Sequence, residues 1–186
     1  MRKFEARVMY LDFGELSLLQ KKIAEEEVKT YIDKSFGKEN LDKDLKTDHL
    51  HNTVRIFLAL KKFAKENDIN SFTMKCVEET IKVLGVAPCG INSLLTNAGF
   101  ISGCEGDVLA TLTMQINYLL SGLKPLMIDI MSIREEDGSM LLWHCGAGAE
   151  AIAGNNKVTY RSSPILCTSG GDPQGGAGLV FMVLPT

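Results

Sequence analysis

The sequence predicts an α/β fold, a parallel sheet flanked by helices and followed by a β-rich segment. Three observations carry that prediction. Short apolar runs of strand length alternate with longer stretches whose apolar residues recur at helical spacing, in the order strand, helix, helix, strand, helix. Glycine and proline stand at the junctions between them. Roughly the last forty residues hold many of the glycines and few helix formers.

Taken in order, Arg7 to Phe13 reads as a buried strand that Gly14 ends. Ser17 to Asp33 sets Leu18, Leu19, Ile23, Val28 and Ile32 among lysines and glutamates, which predicts one amphipathic helix. Phe36-Gly37-Lys38 breaks it. Asp48 to Asn67 repeats the pattern with Val54, Phe57, Leu58, Leu60 and Phe63, and Thr47 or Asp48 can cap its start. Ser71 to Cys76 is of strand character, and Val77 to Leu84 is a helix that stops at Gly85. A turn-rich passage at Val86-Ala87-Pro88-Cys89-Gly90 leads into an apolar stretch from Ile91 to Ile101. Asp107 to Leu120 is a strongly apolar helix closed by Ser121-Gly122. Pro125 to Met131 reads as a buried strand, Arg134 to Ser139 as a charged turn and Met140 to Trp143 as the returning strand of a hairpin. Residues 168–178 form a glycine-rich loop before a final apolar strand, Leu179 to Leu184.

The bulk properties exclude several classes of function. A chain of 186 residues is one large domain or two small ones, and 45% hydrophobic with 23% charged residues is ordinary globular composition. Net charge is −3 and the pI about 5.7, so no basic footprint for nucleic acid or an anionic membrane is present. Charges interrupt the first residues, which argues against a secretory signal, and no apolar run approaches the roughly 20 residues that cross a bilayer. Five scattered cysteines without a Cys-x-x-Cys pair fit reduced, buried thiols in the cytoplasm rather than disulfides or a zinc ribbon. The 168–178 loop lacks the Gly-Lys-Ser/Thr of a phosphate-binding loop.

Three polar residues stand out against apolar or small neighbours: Glu105 in Cys104-Glu105-Gly106-Asp107, Asp129 between Ile128 and Ile130, and His144 after Trp143. An isolated carboxylate in an apolar run is costly to bury without compensation, and one divalent cation compensates two. Asp129 is the most telling, because aspartate is disfavoured within a strand and no turn accounts for it. Glu105 at a helix start has a bland alternative in the helix dipole. Asp107, two residues on, is the better cap, or a partner that orients Glu105. His144 alone is as compatible with the core as with a ligand set. His49 and His51, two apart at a helix start, would diverge and read as surface groups.

These residues also carry a resemblance. Pro88-Cys89, Asn92-Ser93-Leu94-Leu95, Gly99-Phe100, Cys104-Glu105-Gly106-Asp107, Leu112-Thr113-Met114, Asp129 and His144-Cys145-Gly146 together resemble the L-fucose isomerase and L-arabinose isomerase superfamily, nearer its fucose-isomerase-related branch. The likeness covers roughly residues 70–186, and its specificity lies in the order and spacing of the motifs. It implies a subunit of two α/β domains and a barrel-like β domain. Residues 1–122 then correspond to the second domain and 123–186 to the beginning of the third, as a fragment of a longer enzyme. It implies that Glu105 and Asp129 bind a divalent metal, Mn2+ or another such as Mg2+, and move protons. It aligns His144 with a metal-site histidine, and a further ligand histidine is expected downstream, although none follows His144 here. A homo-oligomer with active sites at subunit contacts is implied as well.

The expected activity is interconversion of an aldose and a ketose, such as L-fucose or L-arabinose, through a cis-enediol, with the two carboxylates handling the migrating proton. Two alternatives stand beside it. One is another metal-dependent sugar epimerase or aldolase. The other is a non-catalytic structural or assembly domain whose metal site is completed elsewhere. A nucleophilic pairing of His144 with Cys104 or Cys145 is disfavoured, since adjacent residues of a strand face opposite ways.

Overall fold

The structure is a computed structural model, and it describes residues 4–43, 45–76, 79–144, 148–153, 158–163 and 178–183. Helix formation begins at a local cap. Asp12 accepts a hydrogen bond from the Glu15 amide at 2.8 Å, the Asp and Glu standing at capping-box spacing, and α1 runs Phe13–Lys21. The strand expected over Arg7 to Phe13 is therefore absent. Val8, Met9 and Tyr10 are exposed, and among the described residues no strand pairs with them. The single helix expected over Ser17 to Asp33 is two. The chain turns at residues 22–24, and α2 resumes at Glu25–Ser35 with Glu25, Glu26 and Glu27 in its first turn, where the helix dipole favours negative charge.

The long helix α3, Thr47–Asn67, ends on Asp68 in a left-handed conformation. Its buried face carries Leu50, Val54, Ile56, Phe57 and Leu60 at the spacing read from the sequence. The strand β1 is Ser71–Thr73, shorter than the predicted run to Cys76, and α4 is Glu79–Leu84. Residues 77 and 78, where that helix was expected to begin, lie outside the described residues. The apolar stretch after Pro88 divides into α5, Pro88–Asn97, with proline in its first turn, and β2, Ile101–Gly103. Then α6, Val108–Ser121, starts at the Asp107 cap and stops at Gly122, as its sequence predicts.

β1 and β2 pair in parallel, with Phe72 opposite Ser102. This is the parallel sheet of the predicted α/β class, and no closed barrel occurs among the described residues. Beyond α6, β3 (Asp129–Ile133) and β4 (Met140–Trp143) form the expected hairpin, whose turn is closed by Arg134, Gly138 and Ser139. The buried strand expected from Pro125 to Met131 is displaced and exposed. Ile130, Met131, Ile133, Leu141 and Trp143 all stand largely in solvent. The apolar pattern that suggested burial reports side-chain type, and among the described residues no second layer covers either face. The final strand, β6 (Gly178–Val183), pairs antiparallel with β5 (Val158–Ser163), which the sequence reading did not anticipate. Of the glycine-rich 168–178 loop, residues 168–177 lie outside the described residues.

The core joins the helices to β5. Val28, Val54, Ile56, Phe57, Ile91 and Leu95 are completely buried. Tyr31 packs on Phe57 with ring centroids 5.1 Å apart, and Phe36 packs on Tyr160 of β5 at 4.8 Å. The polar residues Asn92, Ser93 and Thr96 of α5 are inside. Ser102 Oγ donates to Asn92 Oδ1 at 2.9 Å, and the Ser102 amide donates to Thr96 Oγ1 at 3.0 Å, which fixes α5 on β2. At the end of α5, Asn97 Nδ2 donates to Glu150 Oε2 at 3.0 Å, and burial pushes the Glu150 carboxyl above the ordinary glutamate range. His49 and His51 diverge as expected, His49 Nδ1 to Ser162 Oγ at 3.1 Å and His51 Nδ1 to Glu25 Oε1 at 2.8 Å. No described helix is long and apolar enough to cross a membrane.

Phe57→Ala empties a completely buried site and should cost about 3–5 kcal/mol in chemical denaturation, whereas Leu120→Gln on the exposed face of α6 should stay within about 0.5 kcal/mol. A large loss at Leu120 would contradict the face assignment. For Glu150, a folded-state pKa raised above the unfolded value gives stability that is present at low pH and lost as pH rises through the folded value. Glu150→Gln should therefore match the native protein near pH 4 and become the more stable of the two toward pH 7, read from thermal midpoints across that range. A constant offset at all pH values would remove this assignment.

Candidate metal centre

Glu105 sits in the reverse turn that leaves β2. The Asp107 amide donates to the Cys104 carbonyl at 3.0 Å, with Glu105 at φ 62° and Gly106 at φ 72° as the two central residues. Positive φ at both central positions is the sense of a type I′ turn, which favours glycine, asparagine and aspartate. Gly106 takes that conformation freely, and the exposed Glu105 takes it at a cost of about 1–2 kcal/mol. Strain of this kind persists only where surrounding contacts over-determine it, and it concentrates at functional sites. Here the contacts are identifiable. The Gly106 amide donates to the Met74 carbonyl at 3.1 Å, and Thr73 Oγ1 donates to the Cys104 carbonyl at 3.1 Å.

Gly103 admits α6 against this turn. A Cβ there would meet Thr111 Oγ1 at 2.1 Å, so only glycine lets the helix approach so closely. Asp107 caps that helix through its side chain, Oδ1 accepting from the Ala110 amide at 2.8 Å. Of the two roles foreseen for Asp107, the cap is the one its contacts describe. Its backbone also closes the turn that presents Glu105.

Asp129 arrives from the other side. After α6 the chain runs back along β2: Lys124 Nζ lies 3.9 Å from where a Cβ on Gly99 would stand, and Met127 Sδ accepts from the Cys104 amide at 3.4 Å. Met127 packs on Cys76 and Cys104. Two residues further, Asp129 opens β3, so it is an end residue of the strand rather than its middle. Its pairing with Trp143 sets His144, the next residue, at the open end of the hairpin.

Glu105, Asp129 and His144 thus converge from a turn and from the two ends of a hairpin. One ligand atom from each lies within 4.8 Å of the others, and the site is open to solvent, with His144 the most enclosed of the three. Donors bound to a single ion at about 2.0–2.6 Å stand at most about 5.2 Å apart, so a separation within 4.8 Å is compatible with a shared cation. Two carboxylates and one imidazole could together hold a divalent cation. Among the described residues the ion pairs of carboxylates are those of Glu25 with His51 and Arg55 and of Glu27 with Lys62, and no lysine or arginine neutralises Glu105 or Asp129. Sequence reasoning missed Thr73 and Met127. A threonine in a strand and a methionine in an apolar run carry no mark of the bonds they make.

The class of protein that the chain is similar to is a sugar isomerase. Over 96 residues, 51% of the chain, it is 33% identical to a sulfoquinovose isomerase of Alkalicoccus urumqiensis. Over 95 residues it is 35% identical to the sulfoquinovose isomerase of Priestia megaterium. A sulfoquinovose isomerase of a Clostridium species is 30% identical over 100 residues. The matched stretch spans only 21–22% of the length of these curated relatives. No family model matches the chain.

Replacing Glu105 by glycine separates the cost of the conformation from the use of the carboxylate. Glu105→Gly should leave the metal-free protein as stable as before or up to about 1 kcal/mol more stable, while weakening Mn2+ binding. Denaturation and Mn2+ titration of the same samples check both halves. A metal-free variant destabilised by more than 1 kcal/mol would mean that the carboxylate itself holds the turn.

Proposed function

We propose that the protein is a metal-dependent aldose–ketose isomerase, with Glu105, Asp129 and His144 as its ligands for Mn2+ or Mg2+ and the two carboxylates as the groups that move the proton. The convergence of these three side chains, 24 and 15 positions apart along the sequence, carries the reading. The similarity to proteins named as sugar isomerases supports the reaction class. Their printed names put sulfoquinovose, a sulfonated aldose, first among the substrates to test, with L-fucose and L-arabinose as the comparison sugars.

An aldose and its ketose differ by a hydrogen moved between C1 and C2. A bound divalent cation supplies Lewis acidity at the sugar oxygens, which makes the C–H beside the carbonyl removable. Within the chain, one carboxylate of the Glu105–Asp129 pair takes the proton from C2. The other enters protonated and gives a proton to C1 of the cis-enediol, the hydroxyl proton of O2 passes to O1, and exchange with solvent resets the pair. Asp107 and Gly106 hold the turn that aims Glu105, and the strand pairing of Asp129 with Trp143 aims the other side. The exposed apolar hairpin beside the site is compatible with the homo-oligomer that the isomerase resemblance implies.

The test uses Mn2+, each sugar and deuterated water. An isomerase forms ketose with solvent deuterium at C1 and an intact carbon skeleton, as read by NMR, and Glu105→Gln and Asp129→Asn should each lower the rate by about 10²–10⁴-fold. A cleaved skeleton would point to aldolase chemistry instead, and an inverted stereocentre without ketose to an epimerase. Metal binding is read separately. Mn2+ at 100-fold excess over Kd should stabilise the protein by about 2.7 kcal/mol, and no stabilisation would refute the metal centre. Stabilisation without turnover of any of the three sugars would favour the structural or assembly reading.

A further inference from the structure

We infer that Thr73 and Met127 are positioning residues of this site, which clamp the two peptide groups of Cys104 and so set the separation of the Glu105 and Asp129 carboxylates. The inference rests on the metal-site reading above and adds to it the groups that hold the ligands.

Cys104 is completely buried beneath the site, between β2 and the turn. Its two backbone groups are engaged by side chains from opposite sides. The N–H donates to Met127 Sδ at 3.4 Å, and the C=O accepts from Thr73 Oγ1 at 3.1 Å. The carbonyl belongs to the peptide bond that leads into Glu105. Holding its plane restricts the rotation that places Glu105 at φ 62°, a conformation a glutamate does not keep unaided. The second bond acts on the other ligand. Met127 stands two residues before Asp129, so its sulfur ties the approach to β3 directly to the residue before Glu105.

The lever arms are short on both sides, one residue from Cys104 to Glu105 and two from Met127 to Asp129. A thioether is a weak acceptor with an adaptable side chain, which suits a contact that fixes register rather than one that supplies stability. The Thr73 hydroxyl serves the same end from β1, whose pairing with β2 already aligns Thr73 with Gly103. Both residues act through Cys104 and neither belongs to the ligand set, so substitution should act on metal affinity. Loss of groups that orient metal ligands typically lowers affinity about 10–100-fold.

The experiment compares Mn2+ affinity, read from the EPR signal of free Mn2+, with the metal-free thermal midpoint. The proteins are the native chain, Thr73→Val, Thr73→Ser, Met127→Leu and Glu105→Gln. Thr73→Val and Met127→Leu keep volume and remove the bonding atom. Each should weaken Mn2+ binding about 10-fold or more, while the metal-free midpoint stays near the native value. Thr73→Ser restores the hydroxyl and should restore the affinity, which a packing role for the threonine would not predict. If the native chain binds Mn2+ and Thr73→Val and Met127→Leu bind it equally well, the positioning role is overturned and the metal site stands. If Thr73→Val does not fold, Thr73→Ser and Met127→Leu decide by the same comparison. If the native chain and Glu105→Gln bind Mn2+ alike, the metal site itself fails, and the positioning role falls with it.

Discussion

The site depends on a turn held in a conformation that its own residues disfavour. Glu105 and Gly106 both have positive φ, and only glycine reaches that region without steric cost. Four hydrogen bonds around Cys104 and Gly106 outweigh the preference: from Thr73, to Met127, to Met74 and from Asp107. The three that end on oxygen are worth about 0.5–1.5 kcal/mol net each, so together they offset the cost of about 1–2 kcal/mol for one glutamate in the left-handed region. The turn also leads into α6, which starts three residues after Glu105, behind the Asp107 cap, and closes on β2 over Gly103. The carboxylate is thereby presented by a rigid support, not by a loop.

The two halves around this turn are built differently. On one side the helices α1, α2, α3 and α5 and the strand β5 share a core that also takes in polar residues, where Ser102 bonds Asn92 and Thr96. On the other side the hairpin β3–β4 has apolar residues exposed on both faces, and α6 buries only Thr111 and Met114. A two-stranded hairpin alone in water is marginal, so the Met127 contact and the strand pairing carry more weight here than they would in a covered sheet. The two candidate ligands from the hairpin stand at its open end, which the Met127 contact ties to Cys104.

Much of the candidate site was legible in the sequence because its residues break local rules. An aspartate between two isoleucines and a glutamate within Cys-Glu-Gly-Asp are conspicuous against apolar and small neighbours. The residues that hold them in place break none. Thr73 looks like any strand threonine and Met127 like any apolar filler, and their roles arise from partners 31 and 23 positions away. In the fold, helices with strong periodicity or plain stop signals were readable, as α3 and α6 show. The segment at Arg7 to Phe13 was misread because its apolar run suggested a strand, while the cap at Asp12 and Glu15 committed the chain to a helix.

What the sequence determined by itself is chemical identity and local geometry: two carboxylates and an imidazole in unsuited settings, an Asp107 cap, a Gly122 stop and a hairpin whose returning strand is Met140 to Trp143. These follow from side-chain type and short-range hydrogen bonding, which neighbouring residues carry with them. Only the tertiary structure decided that Glu105, Asp129 and His144 meet within 4.8 Å, that the hairpin is exposed and that the final strand pairs with β5. Convergence depends on how β2, α6 and the return along β2 stack. That is fixed by contacts between distant segments, and no local pattern encodes the distance between them.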